Sequence, residues 1–138
     1  MVSKTIRFFV ETTKDICIRD ITKDVEKAVN ESKIENGVAI VFVPGSTASI
    51  STMEFEPGLL KDLPEVFQKI APFDKDWQHH KTWNDRNGAS HILATILGPS
   101  TTVPFQNRKL LLGTWQQIVL IDFDREPRRR EVIVQIIG

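Results

Sequence analysis

The side chains best suited to chemistry are concentrated in one polar segment. All the histidines of this chain fall between His79 and His91, in the run Trp77-Gln-His79-His80-Lys-Thr-Trp83-Asn84-Asp85-Arg-Asn87-Gly88-Ala-Ser90-His91. Imidazole both ligates metals and titrates near neutrality. His91 is therefore a candidate proton donor or acceptor, with Asp85 or Glu54 as a companion carboxylate. His79, His80 and His91 are candidate ligands for a divalent metal such as zinc or magnesium, zinc being the better match to imidazole. Their spacing matches neither a zinc finger nor the helical His-Glu-x-x-His pattern. A loop whose histidines simply satisfy the backbone is the competing reading.

Two other segments could meet an anion. Ser46, Thr47 and Ser49 follow Pro44-Gly45, where turn N–H groups and hydroxyls can face a phosphate or, more blandly, satisfy the turn itself. Arg128 and Arg130 sit two apart on a strand-like stretch and so share a face, which makes them a plausible clamp for phosphate or pyrophosphate. Inter-subunit ion pairs or a solvated strand start would use the same residues. Glu54 lies in a polar stretch, Ser51 to Glu56, that also reads as a solvated strand face. Gln116 could hydrogen-bond a ligand, whereas Trp115 reads as core or as a subunit contact.

The elements that must position these groups fit one domain, residues 1–138. Apolar residues make up 41% and charged residues 26%, as in an ordinary globular protein. Eighteen basic and eighteen acidic residues cancel, which argues against nucleic acid or an anionic membrane as partner. The single cysteine, Cys17, fits a reducing compartment and a buried strand position. No apolar run approaches a membrane span or a signal peptide, so a cytoplasmic location is expected.

Lys4–Thr12 and Ile16–Arg19 read as hairpin-related strands. Thr22 offers a helix N-cap, and that helix should stop near Asn36-Gly37. Strands follow at Val38–Val43 and Ala48–Thr52. A helix spans about Pro57–Ile70, with Leu59, Leu60, Leu63, Val66, Phe67 and Ile70 as its apolar stripe. Pro64 suggests that it becomes regular only from Asp62 or Leu63. The histidine segment reads as an irregular loop leading to a short helix, Ala89–Leu97, stopped by Gly98. Strands at Thr101–Phe105, Gly113–Phe123 and Arg129–Ile137 close the chain, the middle one apolar on both faces and so covered twice. The class is α+β.

Three signatures together carry a resemblance: Gly113-Thr-Trp115-Gln116-Gln-Ile118; Asn87-Gly88-Ala-Ser90-His91 with Leu97-Gly98-Pro99-Ser100; and Pro127-Arg128-Arg-Arg130 before Val-Ile-Val-Gln-Ile-Ile-Gly138. From about Thr5 to Gly138 the chain resembles the YjbQ-like family, whose members are labelled secondary thiamine-phosphate synthases and whose primary activity is regarded as unknown. The resemblance implies a seven-stranded β-sandwich with flanking helices, in the order ββαββα(α)βββ, assembled as a homotrimer. It also places a carboxylate at Glu54. Two positions depart from the pattern. Gly45 stands where a histidine is common, for which the doubled His79-His80 offers a replacement, and Arg108 stands where a turn glycine is usual.

The leading expectation is a small-molecule enzyme of the thiamine-phosphate synthase type, joining hydroxymethylpyrimidine diphosphate to thiazole phosphate. A metal-dependent phosphate-ester hydrolase and a non-catalytic metabolite- or metal-binding module are the alternatives. The expected partners are a small phosphorylated metabolite and further copies of the chain.

Overall fold

The computed structural model describes residues 1–138 as two antiparallel sheets packed face to face. The larger sheet contains β1 (Ser3–Glu11), β3 (Gly37–Phe42), β5 (Ser100–Gln106), β6 (Lys109–Leu110) and β8 (Arg129–Ile137), in the spatial order β1-β8-β3-β5-β6. The smaller contains β2 (Cys17–Asp20), β4 (Ala48–Met53) and β7 (Gln117–Asp122), in the order β2-β7-β4. Helices α1 (Thr22–Ser32), α2 (Pro57–Ile70), α3 (Gln78–Trp83) and α4 (Gly88–Leu97) complete the chain. The two-residue β6 is the addition to the expected seven strands. No helix is long and apolar enough to cross a membrane.

Period-2 alternation divides the core into two layers. Ile118 and Leu120 of β7 face the larger sheet, where they join Val132, Val134 and Ile136 of β8, Ala39 and Val41 of β3, and Val25 and Val29 of α1. Val119 and Ile121 face the opposite way, into a second cluster with Phe67 of α2, Leu93 of α4 and Phe123. The double covering expected of β7 is therefore present. Phe67 meets Phe123 edge to face, with centroids 5.2 Å apart.

Several expectations are corrected. β1 and β2 do not form a hairpin; β1 pairs β8 and β2 pairs β7, because each strand follows the sheet that buries its apolar row. α1 begins after Ile21 and ends at Lys33, which adopts a left-handed conformation well before Gly37. Thr22 does not cap it: its hydroxyl donates to Asp20 and accepts from the Ile118 N–H, tying the helix start to β7. α2 is regular from Pro57 despite Pro64, since the Glu56 carboxylate accepts from the Gly58 and Leu59 N–H groups and satisfies the first turn. Of its apolar stripe, Phe67 is buried and Leu60 and Leu63 pack on the second cluster, whereas Val66 and Ile70 are exposed. β7 starts at Gln117, so Trp115 lies in the preceding turn and is exposed rather than in the core.

Phe123→Ala should lower unfolding free energy by about 3–5 kcal/mol, through lost burial and the cavity left beside Phe67. Chemical denaturation checks this, and a loss under 1 kcal/mol would show that this layer does not depend on Phe123.

Candidate functional site

The inward rows of the sandwich end in charge at one end of the core. Arg130 continues the row of Val132, Val134 and Ile136, and Asp122 continues the row of Ile118 and Leu120, so the alternation that builds the core aims these side chains at each other. Arg130 Nε donates to Asp122 Oδ2 and Nη2 to Oδ1, both at 2.9 Å. Asp122 is fully buried; it also accepts from Thr12 Oγ1 at 2.7 Å and from the Asp124 N–H at 2.9 Å. Arg130 Nη2 donates to Thr47 Oγ1 at 2.7 Å. Two residues further along each chain segment, Arg128 Nε donates to Asp124 Oδ2 at 2.6 Å. Burial would raise the Asp124 pKa, but the Arg128 hydrogen bond, the Arg125 N–H and the two guanidinium charges outweigh it and hold the carboxyl below its ordinary 3.8.

The histidines are brought to this end by α3 and α4. Ser90 Oγ donates to the Phe123 carbonyl at 2.5 Å and Ser49 Oγ to the Ala94 carbonyl at 3.3 Å, which fixes α4 against the smaller sheet. Gly88 admits the approach of α3: a Cβ there would lie 2.9 Å from Trp77 Cβ and 3.2 Å from His79 Cβ. His79 consequently stacks on His91, with ring centroids 4.6 Å apart and a 35° tilt. Asp85 Oδ1 lies 3.3 Å from His79 Nδ1 and is held by the Asn87 amide, oriented to donate at 2.8 and 3.1 Å.

Burial is the main cause that lowers the His91 pKa below 6.5, and the neighbouring His79 adds to it. The charges of Asp85 and Asp124 and a backbone hydrogen bond at Ser46 oppose it without cancelling it. The balance favours the neutral imidazole of His91, which feels the Asp124 charge and a backbone hydrogen bond at Ser46 in the Pro44–Thr47 turn. His80 does not join the pair. Its Nδ1 lies 3.9 Å from Asp76, and its Nε2 is buried without a partner.

The predicted site residues thus separate into groups. His79, Asp85, His91, Ser46, Thr47, Arg128 and Arg130 gather at one end. Ser49 is fully buried and committed to α4, so it offers no hydroxyl to a ligand. Glu54 and Gln116 lie at the far end of β4, where Gln116 Nε2 donates to Thr52 Oγ1 at 3.1 Å. No three His, Cys, Asp or Glu side chains converge to hold a metal ion. The stacked imidazoles alone do not supply the three-donor set of a zinc site. Asp122, Asp124, Thr12 and Asn87 are contributors the sequence reading missed. The alternation Asp122-Phe-Asp124, in phase with the inward row of β7, was the available signal for the two aspartates.

A protein-family model described as "UPF0047 protein YjbQ-like" matches residues 6–138. A UPF0047 protein of Archaeoglobus fulgidus is 41% identical over 126 residues, covering 91% of this chain and 95% of the relative. The YugU protein of Bacillus subtilis is 33% identical over 130 residues, covering 94% and 96%. Among solved structures, a YbjQ-like protein of unknown function from Sulfolobus solfataricus superposes with a TM-score of 0.93 at 34% identity, covering 99% of this chain and 98% of that one. A hypothetical protein from Aeropyrum pernix gives 0.92 at 32% identity, covering 98% of both.

Because the folded state lowers the His91 pKa, it binds fewer protons than the unfolded state just below pH 6.5. The His91 contribution to stability is therefore intact above 6.5 and is lost as pH falls from there through the folded-state pKa. Asp124 behaves the same way in a more acidic window, below 3.8. Denaturant titrations at pH 7.5 and 5.5 should show a decline that His91→Asn reduces; an equal decline in the variant would remove His91 as its source.

Proposed function

We propose, from the premise that this chain belongs to the YjbQ-like UPF0047 family, that the histidine–arginine end is the site of a small-molecule enzyme whose substrate carries a phosphate or pyrophosphate. The observation that carries this reading is the free edge of Arg130. Its Nε and Nη2 are engaged by Asp122 and Thr47, which leaves Nη1 as the open donor. Gly45, at φ +128°, lies directly against it: a Cβ there would sit 3.0 Å from Nη1. A side chain at position 45 would be strained in that backbone conformation and crowded by the guanidinium. The notch is therefore kept open beside a fixed donor, the exposed Ser46 hydroxyl and the half-exposed Arg128.

The local charges explain what such a site would do. Asp122 and Asp124 neutralise Arg130 and Arg128, so the site is held rigid without a standing positive excess. An arriving phosphate favours protonation of His91, which supplies the missing charge. Held next to the phosphate, that proton can be passed to a leaving group.

Within this class, the transfer suggested by the family resemblance is the joining of hydroxymethylpyrimidine diphosphate to thiazole phosphate. The thiazole nitrogen lone pair forms the new C–N bond, the C–O bond to pyrophosphate breaks, and pyrophosphate leaves with the electron pair. The Arg128 and Arg130 donors and protonated His91 match the charge that builds on that leaving group.

The test is to incubate purified protein with both precursors and follow thiamine phosphate, with inorganic pyrophosphate binding measured by calorimetry alongside. Arg128→Ala is expected to lower kcat/KM roughly 100-fold and to weaken pyrophosphate binding. Binding without turnover would sink the thiamine assignment while keeping the phosphate site. Absence of pyrophosphate binding would sink both.

A further inference from the structure

An open recess of about 590 Å³ lies between α1 and the β5–β6 hairpin. It is remote from the histidines. The Val43 N–H donates to the Pro99 carbonyl at 3.0 Å beside the Pro44–Thr47 turn, and β5 then runs away from that end, its seven residues spanning about 23 Å. Glu26 and Asn30, one helical turn apart on α1, form one wall of the recess; Asn107, Arg108, Lys109 and Leu110 form the other. The hairpin wall is fixed. Asn107 and Arg108 are both left-handed, at φ +53° and +62°, as a tight two-residue hairpin turn requires. The Asn107 N–H donates to Asn36 Oδ1 at 3.0 Å, and the Arg108 N–H donates to the Glu35 carbonyl at 2.9 Å. The Arg108 guanidinium pairs with the Glu35 carboxylate at 2.7 Å, so its charge is balanced by a residue that does not line the recess.

Glu26 and Lys109 are not balanced in this way. The ion pair along that part of α1 joins Lys27 to Glu31 and leaves Glu26 out. Glu26 and Lys109 face the same recess from opposite walls, yet they do not pair with each other. A bare anion drawn to Lys109 would meet the repulsion of Glu26, and a bare cation at Glu26 would meet that of Lys109. A ligand carrying both charges satisfies both walls. Asn30 and Asn107 add carboxamides that nothing in the chain engages, each able to donate and accept. Leu110 is the one apolar residue of the lining, so the body of the ligand between its charges is polar.

We propose that this recess binds a free α-amino acid with a polar, uncharged side chain. The ammonium group sits on Glu26, the carboxylate on Lys109, and the side chain hydrogen-bonds Asn30 and Asn107. The volume falls within the usual range of small-molecule sites. This site is separate from the histidine–arginine end, and its occupation does not depend on any reaction there.

L-Glutamine is the probe, and the side-chain carboxamide signals of Asn30 and Asn107 in the NMR spectrum of the isotope-labelled full chain are the readout. Millimolar glutamine should shift both signals saturably. Glu26→Gln and Lys109→Gln, both at exposed positions, should each weaken binding about 10-fold, because each removes a charge-assisted hydrogen bond. The ligand is altered in parallel. N-Acetylglutamine, which lacks the ammonium charge, should bind wild type weakly and lose nothing further in Glu26→Gln. Glutamine methyl ester, which lacks the carboxylate, should behave likewise toward Lys109→Gln. Saturating inorganic pyrophosphate should not displace glutamine. No saturable shift, a shift that neither variant weakens, or displacement by pyrophosphate would each overturn the proposal. Glutamine binding in a protein that does not bind pyrophosphate would contradict the enzymatic reading of the histidine end and leave this site standing.

Discussion

The Arg130–Asp122 pair is the interaction on which the rest of the structure depends. A buried ion pair recovers the cost of leaving water only when its remaining hydrogen-bonding capacity is met. Here Thr12, Thr47 and the Asp124 N–H meet it. Those partners follow β1, precede β4 and follow β7, while Arg130 itself stands near the start of β8. One pair therefore fixes the ends of four strands drawn from both sheets. A hydrophobic pair of similar volume could close the core as well, but it would leave no guanidinium edge at Gly45 and no anchor for the Asp124–Arg128 pair.

The same constraint shapes the chemistry. Because the carboxylates balance the guanidiniums, the site has fixed donors but little fixed charge, and His91 becomes the adjustable element. Burial and the stacked His79 favour its neutral form, while the charges of Asp85 and Asp124 favour the protonated one that an arriving anion would call for. Gly88 belongs to this account as much as the charged groups do, since His79 reaches His91 only because nothing projects from that α-carbon toward Trp77 and His79.

What was legible in the sequence is what local pattern controls. The bounds of α2 and β8 follow from strong periodicity, and the apolar double face of β7 is visible in Ile118 to Ile121. The chemical focus on His79–His91 follows from composition alone, and the shared face of Arg128 and Arg130 from strand geometry. What was not legible depends on pairing at long range. The turn after Thr12 reads as a hairpin, yet β1 and β2 enter different sheets. Thr22 reads as a cap, yet its hydroxyl serves the Ile118 N–H. Ser49 looks like a ligand hydroxyl until α4 is seen to lie across it. Glu54 and Gln116 read as neighbours of the histidines because the sequence does not show that β4 carries them to the opposite end. Trp115 reads as core or as a subunit contact, and its place in the chain is exposed because β7 begins only at Gln117.

The central claim is that this end binds a phosphate-bearing group and that His91 supplies the charge for it. The most direct measurement is the NMR titration of the His91 imidazole with and without saturating inorganic pyrophosphate. The account predicts a midpoint below 6.5 in the free protein and an upward shift in the bound one. A His91 midpoint that pyrophosphate does not move would contradict it.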